Sequence, residues 1–389
     1  MGLNIKKSRL RIANIIEEGK LGGPQIRIAL VAEALKDHVD TTIILPKNSS
    51  GFINLIKNKK LNYQTFSLSR ITKEWVEALK YVTFSLYEII IVAKFLKKKN
   101  FDLVHVSGGS WQFKGVLAGK LAGIRVIWHL NDTYVPLALR MIFYVLSHFA
   151  DAFIYASIST KKYYEKYIKL NAMGFIIPAP VDTSFFDLNS VKQNSDQLPF
   201  DKKNSIIVGT VANINPIKGL ETIVLIASKI QKKYRNVLFV IFGKTFNNQV
   251  NYLKKLKKMC LELSLNNIFF LEPQSDIASY VKFFDIYLCS SIAESSPMAV
   301  WEAMSMSKPI VTTSVGDAPI YVKHGHNGFI ANVGDYDRLT QNLEKYINNQ
   351  NLRKLHGLRS RDIAIKNLDI KICADNHLEA YTKVRNLKL

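Results

Sequence analysis

The stretch Leu288–Ala331 reads LCSSIAESSPMAVWEAMSMSKPIVTTSVGDAPIYVKHGHNGFIA and alternates between two kinds of pattern. One apolar run ends at Cys289, another begins at Pro309, and a segment with helical periodicity starts at Pro297 between them. Proline suits the first position of a helix, where its missing N–H costs nothing. The stretch therefore predicts a strand, a loop, a helix and a second strand, which is the repeating unit of a parallel sheet.

The same alternation extends outward through the whole chain. Near-continuous apolar strands that alternate with helices are typical of parallel sheets covered on both faces. After residue 205, the predicted strands are Ile206–Val211, Val237–Phe242, Ile268–Leu271, Ile286–Cys289, Pro309–Thr313 and Gly328–Ala331. Before residue 187, they are Leu10–Ile16, Thr42–Leu45, Leu103–Val106, Val126–Leu130, Ala152–Ile158 and Phe175–Ile177. The sequence predicts an α/β fold with two doubly wound, Rossmann-like domains.

A polar, non-periodic segment separates the two series of strands and is typical of a linker. We expect an N-terminal domain at 1–186, a linker at 187–204, a C-terminal domain at 205–370 and a C-terminal helix at 371–389 that could pack back on the N-terminal domain. Ligands of open α/β sheets bind at the carboxyl ends of the strands. We therefore expect the domains to face each other across a cleft.

Composition restricts the class of protein. The chain has 389 residues, of which 48% are hydrophobic and 22% charged, so it is globular rather than disordered. Its three cysteines show no metal-ligand spacing and favour a reducing compartment. We expect neither a signal peptide nor a membrane span, because no apolar run approaches the roughly 20 residues that a span requires.

The charge is strongly basic, with 53 Lys+Arg against 31 Asp+Glu and a net charge of +22. The two halves contribute almost equally, which argues against a dedicated nucleic-acid surface and leaves a simply solvated basic surface as an alternative. Residues Lys57–Lys99 hold ten basic and three acidic side chains with interleaved aromatic residues, Trp75, Tyr81, Phe84, Tyr87 and Phe95. This segment is either a surface for an anionic membrane or a core helix with a solvated Lys face.

The loop before the helix at Pro297 carries the most suggestive polar groups. Glu294 lies in this loop and Glu302 eight residues later in the helix, so both project to broadly the same side. The N–H groups of Ser295, Ser296, Met298 and Ala299 lie at the helix start, where unpaired donors and the helix dipole favour a diphosphate. Capping or surface roles for the two carboxylates remain an alternative.

The ordered block Ser291, Glu294, Pro297, Glu302-Ala303-Met304, Lys308-Pro309-Ile310-Val311, Gly316 and Gly325-x-x-Gly328 resembles the donor-binding block of retaining glycosyltransferases of family 4 (glycosyl transferases group 1), which have the GT-B fold. Further likeness lies in Leu21-Gly22-Gly23-Pro24, in Val208 to Gly219 and in Val240-Ile241-Phe242-Gly243. Among the positions that depart from the family pattern are Ala179-Pro180, where Asn-Gly is usual, and Ser307, where Gly is frequent. Two further departures concern candidate site residues. Asn213 stands where an Arg is frequent, and Asn131 stands where a His commonly precedes the acidic residue, with His129 two positions earlier.

The resemblance implies transfer of a sugar, with retention, from a UDP- or GDP-sugar to a hydroxyl of a glycan or lipid-linked acceptor, with no metal or other cofactor. It assigns the acceptor to the N-terminal domain and the nucleotide sugar to the C-terminal domain. It further implies bacterial surface polysaccharide synthesis in the cytoplasm, with peripheral attachment to the inner face of the plasma membrane and no nucleic-acid partner.

The implied catalytic residues are Glu294, Lys218, His129 and Asp132, with Glu294 on donor sugar hydroxyls and Lys218 on the leaving diphosphate. Glu302 is assigned to the ribose. The implied donor-binding residues are Gly22, Gly23, Asn213, Lys218, Gly243, Ser295, Ser296, Pro297, Met298, Ala299, Val300 and Glu302. Asp335-Tyr336-Asp337 opens a late helix, where capping explains it without a metal.

Three other functions compete with sugar transfer. A nucleotide-sugar epimerase shares the two-domain fold, and the Glu294 to Glu302 block with Lys218 favours transfer over it. A basic nucleic-acid-binding protein would explain the charge but lacks a recognisable module. An NAD-dependent oxidoreductase is weaker still, because no G-x-G-x-x-G follows an early strand.

Overall fold

The computed structural model describes residues 9–70, 75–167, 173–191, 199, 204–272 and 276–387. Most of the predicted linker at 187–204 lies outside them, as does the side chain of Trp75. The sequence also has helical periodicity at 73–98 and 160–169, and the first residues of the former and the last residues of the latter lie outside the described ranges. The chain forms two compact units, Met1–Ala179 with Ile370–Leu389, and Pro180–Asp369. Residues 180–186, assigned above to the N-terminal domain, thus belong to the second unit.

The first unit contains a seven-stranded parallel sheet with the order β3-β2-β1-β4-β5-β6-β7 in the described residues. Its strands are β1 (Leu10–Ile16), β2 (Val39–Pro46), β3 (Asn62–Phe66), β4 (Leu103–Ser107), β5 (Arg125–Leu130), β6 (Ala152–Tyr155) and β7 (Met173–Ile176). Its helices are α1 (Gly23–Ala34), α2 (Ser50–Asn58), α3 (Trp75–Lys99), α4 (Lys114–Leu121), α5 (Leu137–Ser147), α6 (Ile158–Tyr167) and α14 (Ile370–Arg385).

Both faces of this sheet are covered, which explains the apolar strands. On one face, Val104, Val126 and Trp128 pack with α3, α4 and α5. On the other face, Leu103 and Ile127 pack with buried residues of α1 and α14. The C-terminal helix is therefore a component of the first unit's core, although some 190 residues of the other unit precede it.

The second unit contains a six-stranded parallel sheet with the order β10-β9-β8-β11-β12-β13 in the described residues. Its strands are β8 (Ile206–Val211), β9 (Val237–Phe242), β10 (Ile268–Leu271), β11 (Ile286–Cys289), β12 (Ile310–Thr313) and β13 (Gly328–Ala331). Its helices are α7 (Leu220–Gln231), α8 (Val250–Glu262), α9 (Ile277–Phe283), α10 (Met298–Ser305), α11 (Ala318–Tyr321), α12 (Tyr336–Ile347) and α13 (Gln350–Asn367), with short 3₁₀ turns at Pro216–Lys218 and Asn247–Gln249.

The strand order reverses direction once in each sheet, between β1 and β4 and between β8 and β11. Loops that leave the carboxyl ends of two such strands diverge to opposite faces and leave a crevice where ligands of this fold class bind. In the second unit these loops are Ala212–Gly219 and Ser290–Pro297. The fold therefore brings together the two segments that carry Lys218 and Glu294.

The predicted α/β class with two doubly wound sheets is confirmed. Four details of the prediction are wrong. The edge strand β3 and helix α2 were not predicted, and the strand predicted at Ala152–Ile158 ends at Tyr155 because Ile158 begins α6. The helical periodicity of the sequence from Ile217 to Tyr234 predicts one continuous helix there, but it is interrupted at Gly219, whose φ of 58° is left-handed. None of the helices in the described ranges combines the length and apolar character that crossing a bilayer requires.

Candidate functional site

Lys218 is held by a tight turn after β8. Asn215 caps this turn by accepting a hydrogen bond from the Ile217 N–H at 3.0 Å. Gly219 ends it, and a Cβ on this residue would lie 2.3 Å from the carbonyl oxygen of Ser290. Ser290 Oγ donates to the Lys218 carbonyl at 2.9 Å, so the turn is fixed against the loop that follows β11.

Glu294 receives hydrogen bonds from both of these loops. Lys218 Nζ lies 2.5 Å from its Oε1, and Ser291 Oγ donates to the same oxygen at 2.9 Å. Thr313 Oγ1 donates to the Ser291 carbonyl at 2.6 Å and thereby ties the loop to β12. Within the described residues no donor approaches Oε2 of Glu294, so this oxygen is available to ligand hydroxyls.

Helix α10 begins at Met298, one residue after the predicted start at Pro297. The Val300 N–H donates to the Pro297 carbonyl at 2.9 Å, so this backbone group is already paired within the chain. The Met298 and Ala299 N–H groups have no acceptor in the described part of the chain. Two backbone donors at this helix start are therefore available to an anion.

Glu302 lies in the fifth position of α10 and is half-buried. Desolvation raises the pKa of its carboxyl group to about 7. Its side chain has no hydrogen-bonding partner among the described residues, in contrast to Glu294. Hydrogen bonds from the hydroxyl groups of a ligand would stabilise the ionised form of this buried carboxyl group.

Glycines allow close backbone approach at two further points in the second unit. A Cβ on Gly243 would lie 1.8 Å from the Ala212 carbonyl oxygen, and one on Gly316, which has a φ of 51°, would lie 2.1 Å from that of Ser295. Gly243 therefore has a structural reason to be glycine, whatever its part in donor binding. Asn213 is exposed and lies in the same loop as Lys218.

In the first unit, three buried histidines from β4, β5 and α14 lie together: His105, His129 and His377. His105 Nε2 and His129 Nδ1 are 3.1 Å apart, and His105 Nδ1 lies 2.8 Å from the Tyr381 hydroxyl. Ligand atoms of the three residues lie within 4.8 Å of one another, which is compatible with a metal. Burial, together with the charge of Arg27, lowers the pKa of each of the three, and that same charge disfavours a metal cation.

His129 and Asn131, the two alternatives at the carboxyl end of β5, both have unpaired polar atoms. His129 is fully buried and its Nε2 atom has no hydrogen-bonding partner. Asn131 is half-buried, and its Nδ2 atom is inaccessible and also lacks a partner. Asn131 Oδ1 accepts a hydrogen bond from the buried guanidinium of Arg27 at 2.8 Å. Arg27 was not singled out from the sequence, because its helical position gives no sign that it points to β5.

Asp132, the next residue along the chain, accepts hydrogen bonds through both of its carboxylate oxygens. Its Oδ2 accepts from Ser110 Oγ at 3.0 Å, and its Oδ1 accepts from the Tyr164 hydroxyl at 2.5 Å. Burial raises the pKa of Asp132, while these hydrogen bonds oppose the shift. It does not cap α5, whose N-cap is Pro136.

The glycine loop after β1 lies before α1. Gly22 is the N-cap of α1, with an extended φ of −159° and no crowding around its Cβ position. The fold alone does not require glycine at this position, so close approach of a ligand remains a reason for it. Gly23 is the first residue of the helix. Gln25 Nε2 donates to the Glu18 carbonyl at 2.8 Å and anchors the loop.

A buried carboxylate, Glu17, begins this loop and was missed by the sequence analysis. It accepts hydrogen bonds from the Tyr81 hydroxyl at 3.0 Å and the Lys114 N–H at 2.8 Å, and burial raises its pKa to about 7. Tyr81 is thus an internal residue and not part of a basic surface. Phe95 packs edge-on against Phe66, so the aromatic residues of Lys57–Lys99 do not form one exposed face.

Asp335 and Asp337 have local structural roles. Asp335 accepts a hydrogen bond from the Arg338 N–H at 2.9 Å as the N-cap of α12, as predicted. Asp337 forms an ion pair with Lys229. Both carboxylates are therefore accounted for by helix capping and surface pairing.

Two doubly wound sheets, with a Lys–Glu pair at the strand-order reversal of the second, are the features to set beside known protein families. Residues 191–361 match the family described as glycosyl transferases group 1, and residues 21–185 match glycosyltransferase family 4. The two matches together extend over most of the chain. The protein belongs to the group 1 glycosyltransferases.

Individual relatives are distant. CapM of Staphylococcus aureus, a capsular polysaccharide biosynthesis glycosyltransferase, is 25% identical over 197 residues, or 50% of each chain, so the chain spans about half the length of this relative. A UDP-Gal:alpha-D-GlcNAc-diphosphoundecaprenol alpha-1,3-galactosyltransferase of Escherichia coli is 24% identical over 64% of this chain and 67% of its own. Among solved structures, Anabaena HepE in complex with UDP and glucose has a TM-score of 0.82 at 18% identity and covers 96% of this chain and 100% of its own. At this identity the structural likeness shows the GT-B fold.

Proposed function

We propose that the protein is a retaining, metal-independent glycosyltransferase that moves a sugar from a nucleotide diphosphate sugar to a hydroxyl of a glycan or lipid-linked acceptor in bacterial surface polysaccharide synthesis. The observation that carries the proposal is the joint attachment of Lys218 and Ser291 to one oxygen of Glu294 at the strand-order reversal of the second sheet. This geometry leaves Oε2 of Glu294 for sugar hydroxyls and places a cation beside it.

In the proposed reaction, the bond between the anomeric carbon and the diphosphate oxygen breaks, and a bond from the same carbon to the acceptor oxygen forms. The acceptor proton passes to the departing phosphate. Lys218 and the free N–H groups of Met298 and Ala299 stabilise the developing charge, which preorganised donors do most effectively in a desolvated site. Glu302 accepts hydrogen bonds from the ribose.

In the first unit, we assign Asp132 to a hydroxyl group of the acceptor substrate, because hydrogen bonds from Ser110 and Tyr164 fix the position of its carboxylate. His129 offers its Nε2 atom to a ligand, since its Nδ1 is engaged by His105. Gly22 and Gly23 provide a loop that a ligand can approach closely. Asn213 and Gly243 line the loop region around Lys218.

We propose a UDP-sugar donor. The E. coli relative is named for UDP-Gal, and Anabaena HepE was also solved with UDP-glucose. Thermal unfolding with UDP, GDP and ADP and their glucose derivatives tests this choice, because a ligand that binds only the folded state raises Tm. UDP compounds should raise Tm most, and a response confined to GDP or ADP compounds would exclude the UDP assignment.

Product analysis tests the reaction itself. Incubation with UDP-sugar and a lipid-diphosphate sugar acceptor should give a new glycoside whose anomeric configuration, read by ¹H NMR, matches that of the donor. Excess EDTA should not slow the reaction if Lys218 and the α10 N–H groups serve in place of a cation. Conversion of the donor to its epimer without acceptor would instead show an epimerase.

We further propose peripheral binding to an anionic cytoplasmic membrane surface. Cys260, Cys289 and Cys373 are free and buried, consistent with a reducing compartment. Helix α5 exposes an apolar stripe at helical spacing, Leu137, Met141 and Val145, at 69%, 61% and 59% of their accessible surface. A basic protein with such a helix suits an anionic bilayer, because apolar insertion and charge attraction act together.

Co-sedimentation with vesicles containing anionic lipid tests this surface. The double variant Met141→Ser/Val145→Ser should lose most binding, whereas Leu261→Ser on α8, an exposed leucine of the second unit, should bind as wild type. Phe84→Ser/Tyr87→Ser tests the exposed part of the Lys57–Lys99 segment separately. Equal binding to neutral vesicles would contradict the electrostatic part of the proposal.

A further inference from the structure

Three buried hydrogen-bond donors lie near the carboxyl end of β5, and two of them, on His129 and Asn131, have no acceptor. Arg27 is 4% exposed, and the Asn131 Oδ1 contact at 2.8 Å is its one hydrogen bond within the described residues. Asn131 Nδ2 and His129 Nε2 are inaccessible and unpaired. The Arg27 contact fixes the amide orientation, because the guanidinium can only donate and must face the amide oxygen.

The hydrogen-bond network also determines which nitrogen of His129 carries its proton. Ser107 Oγ donates to Asn14 Oδ1 at 3.1 Å, so the Asn14 amide nitrogen faces His105 Nδ1, at 3.3 Å, and donates to it. Neutral His105 then carries its proton on Nε2 and donates to His129 Nδ1. His129 is consequently protonated on Nε2, and its orphan atom is an N–H donor.

The charge at this position is positive and uncompensated. Burial lowers the pKa of Arg27 only to about 10, so the guanidinium remains charged at neutral pH. No carboxylate of the described residues forms an ion pair with it. A buried cation without a counter-ion is costly, and buried donors without acceptors add to that cost. The cost disappears if an anion with several acceptor oxygens occupies the site.

We propose that Arg27, His129 and Asn131 form a binding site for an oxyanion, a phosphate or carboxylate group carried by a substrate of the first unit. A guanidinium binds such groups through paired, charge-assisted hydrogen bonds. Asn131 is half-buried, so the site can be reached from solvent on its side. A metal at the neighbouring histidines is the competing occupant, and the Arg27 charge opposes it.

The site adds to the proposed function, because Lys218 and α10 in the second unit already account for the donor diphosphate. A second oxyanion means that a substrate carries a further acidic group. The group is either a phosphate on the acceptor or a carboxylate on the transferred sugar. The site itself is independent of the transfer reaction, so each can be tested without the other.

The test is thermal unfolding of the full chain with increasing inorganic phosphate at constant ionic strength, set with chloride. Wild type should gain about 4 °C near saturation, because phosphate binds the folded state. Arg27→Gln should lose this gain. Arg235→Gln, which removes the same charge from an exposed position of the second unit, should keep it.

Asn131→Asp provides a second test if Arg27→Gln folds poorly. A carboxylate beside Arg27 supplies the missing anion, so this variant should melt higher than wild type without phosphate and respond little to it. Equal gains in all variants would show nonspecific binding to a basic protein, and no gain in wild type would show that only water fills the site. Stabilisation by zinc, with none by phosphate, would assign the cluster to a metal. Each of these results would overturn the proposal.

Two further ligands identify the source of the oxyanion. A gain with UDP-glucuronic acid beyond that with UDP-glucose, lost in Arg27→Gln, would place a carboxylate on the donor sugar. An Arg27-dependent gain with glycerol phosphate and none with glucuronic acid would place a phosphate on the acceptor. If the protein responds to phosphate through Arg27 but binds no nucleotide, the transferase proposal fails while the oxyanion site stands.

Discussion

At the scale of single residues, Lys218 is the strongest candidate for transition-state stabilisation. Its ammonium group contacts Glu294 in the absence of ligand, and a departing diphosphate would give it a second anionic partner. Because a preformed charge at the leaving group acts mainly in the transition state, Lys218→Met should lower kcat about 100-fold or more. Steady-state kinetics with a UDP-sugar measures this effect.

The control is Lys229→Met, which also removes a Lys–carboxylate pair of the second unit, but at the surface with Asp337. Surface pairs contribute little to stability, so Lys229→Met should keep both Tm and kcat. Equal losses of kcat in both variants, with equal losses of Tm, would reduce the role of Lys218 to structural support.

Glu302 gives a pH-dependent prediction. Its pKa of about 7 in the free protein means that it is largely protonated at pH 6, whereas ribose hydroxyls require the ionised form as acceptor. Affinity for UDP should therefore fall as pH drops below about 7, by up to tenfold per pH unit. Calorimetric titration from pH 5.5 to 8.5 measures the dependence.

The matched variant Glu302→Gln cannot ionise and should show a flatter profile, with weaker binding at pH 8. Without ligand, the stability of the folded protein has the opposite pH dependence to that of UDP affinity. An acid whose pKa is raised by folding lowers stability as pH rises from its unfolded value of 4.5 to about 7, and Glu302→Gln should remove that part of the decline. Identical binding profiles for wild type and variant would remove Glu302 from the ribose site.

The site residues illustrate what a sequence can and cannot predict. Glu294 and Glu302 lie in one ordered block and Lys218 in the segment Val208 to Gly219, and the resemblance of both segments to family 4 glycosyltransferases singled these residues out. The hydrogen bonds that Lys218 and Ser291 make to one Glu294 oxygen depend on loop conformation and were not predictable. Arg27 and His377 were missed for a different reason, since β5 lies some 100 residues from one and 250 from the other.

At the scale of elements, prediction succeeded where burial dominates. Strands β8, β9, β10, β11 and β13 have the predicted limits, because buried parallel strands are continuous apolar runs between polar loops. The strand β3 reads NYQTF, is partly exposed and, in the described part of the chain, pairs with β2 alone. An edge strand of this kind has no strong apolar pattern, which is why it was missed.

The turn that carries Lys218 can be tested as an element. Gly219→Ala places a Cβ within 2.3 Å of the Ser290 carbonyl and a side chain at a φ of 58°, so the turn must move away from the β11 loop. Donor affinity should fall at least tenfold, as measured by calorimetry with UDP, while the sheet remains folded by circular dichroism.

Gly334→Ala is the control for backbone strain alone. Its φ of 84° is also left-handed, but no atom lies within 4 Å of the added Cβ. This variant should lose about 1–2 kcal/mol of stability and keep UDP affinity. If both glycine variants lose affinity to the same degree, the close contact between the Lys218 turn and the Ser290 loop is not what organises the donor site.

At the scale of the whole molecule, the first unit is discontinuous in sequence. Within the described residues it combines 9–179 with 370–387, because α14 buries Cys373, Ala374, Tyr381 and Val384 against the strands of its sheet and α1. The sequence predicts only that the C-terminal helix could pack on the N-terminal domain. The burial of its apolar side chains explains why a helix remote in sequence packs in the first unit.

Substitutions on α14 should consequently destabilise the first unit and spare the second. Val384 is fully buried, so Val384→Asp places a charge in an apolar core, at a cost of several kcal/mol against a typical total of about 5–15 kcal/mol. Thr382→Asp, on the exposed side of the same helix, should leave stability nearly unchanged. Limited proteolysis distinguishes the units: Val384→Asp should expose sites within residues 9–179 to rapid cleavage and leave a resistant fragment near residues 180–369. Simultaneous loss of both parts would show that the second unit depends on the first for stability, whereas resistance of both would show that α14 contributes little to the first unit's core.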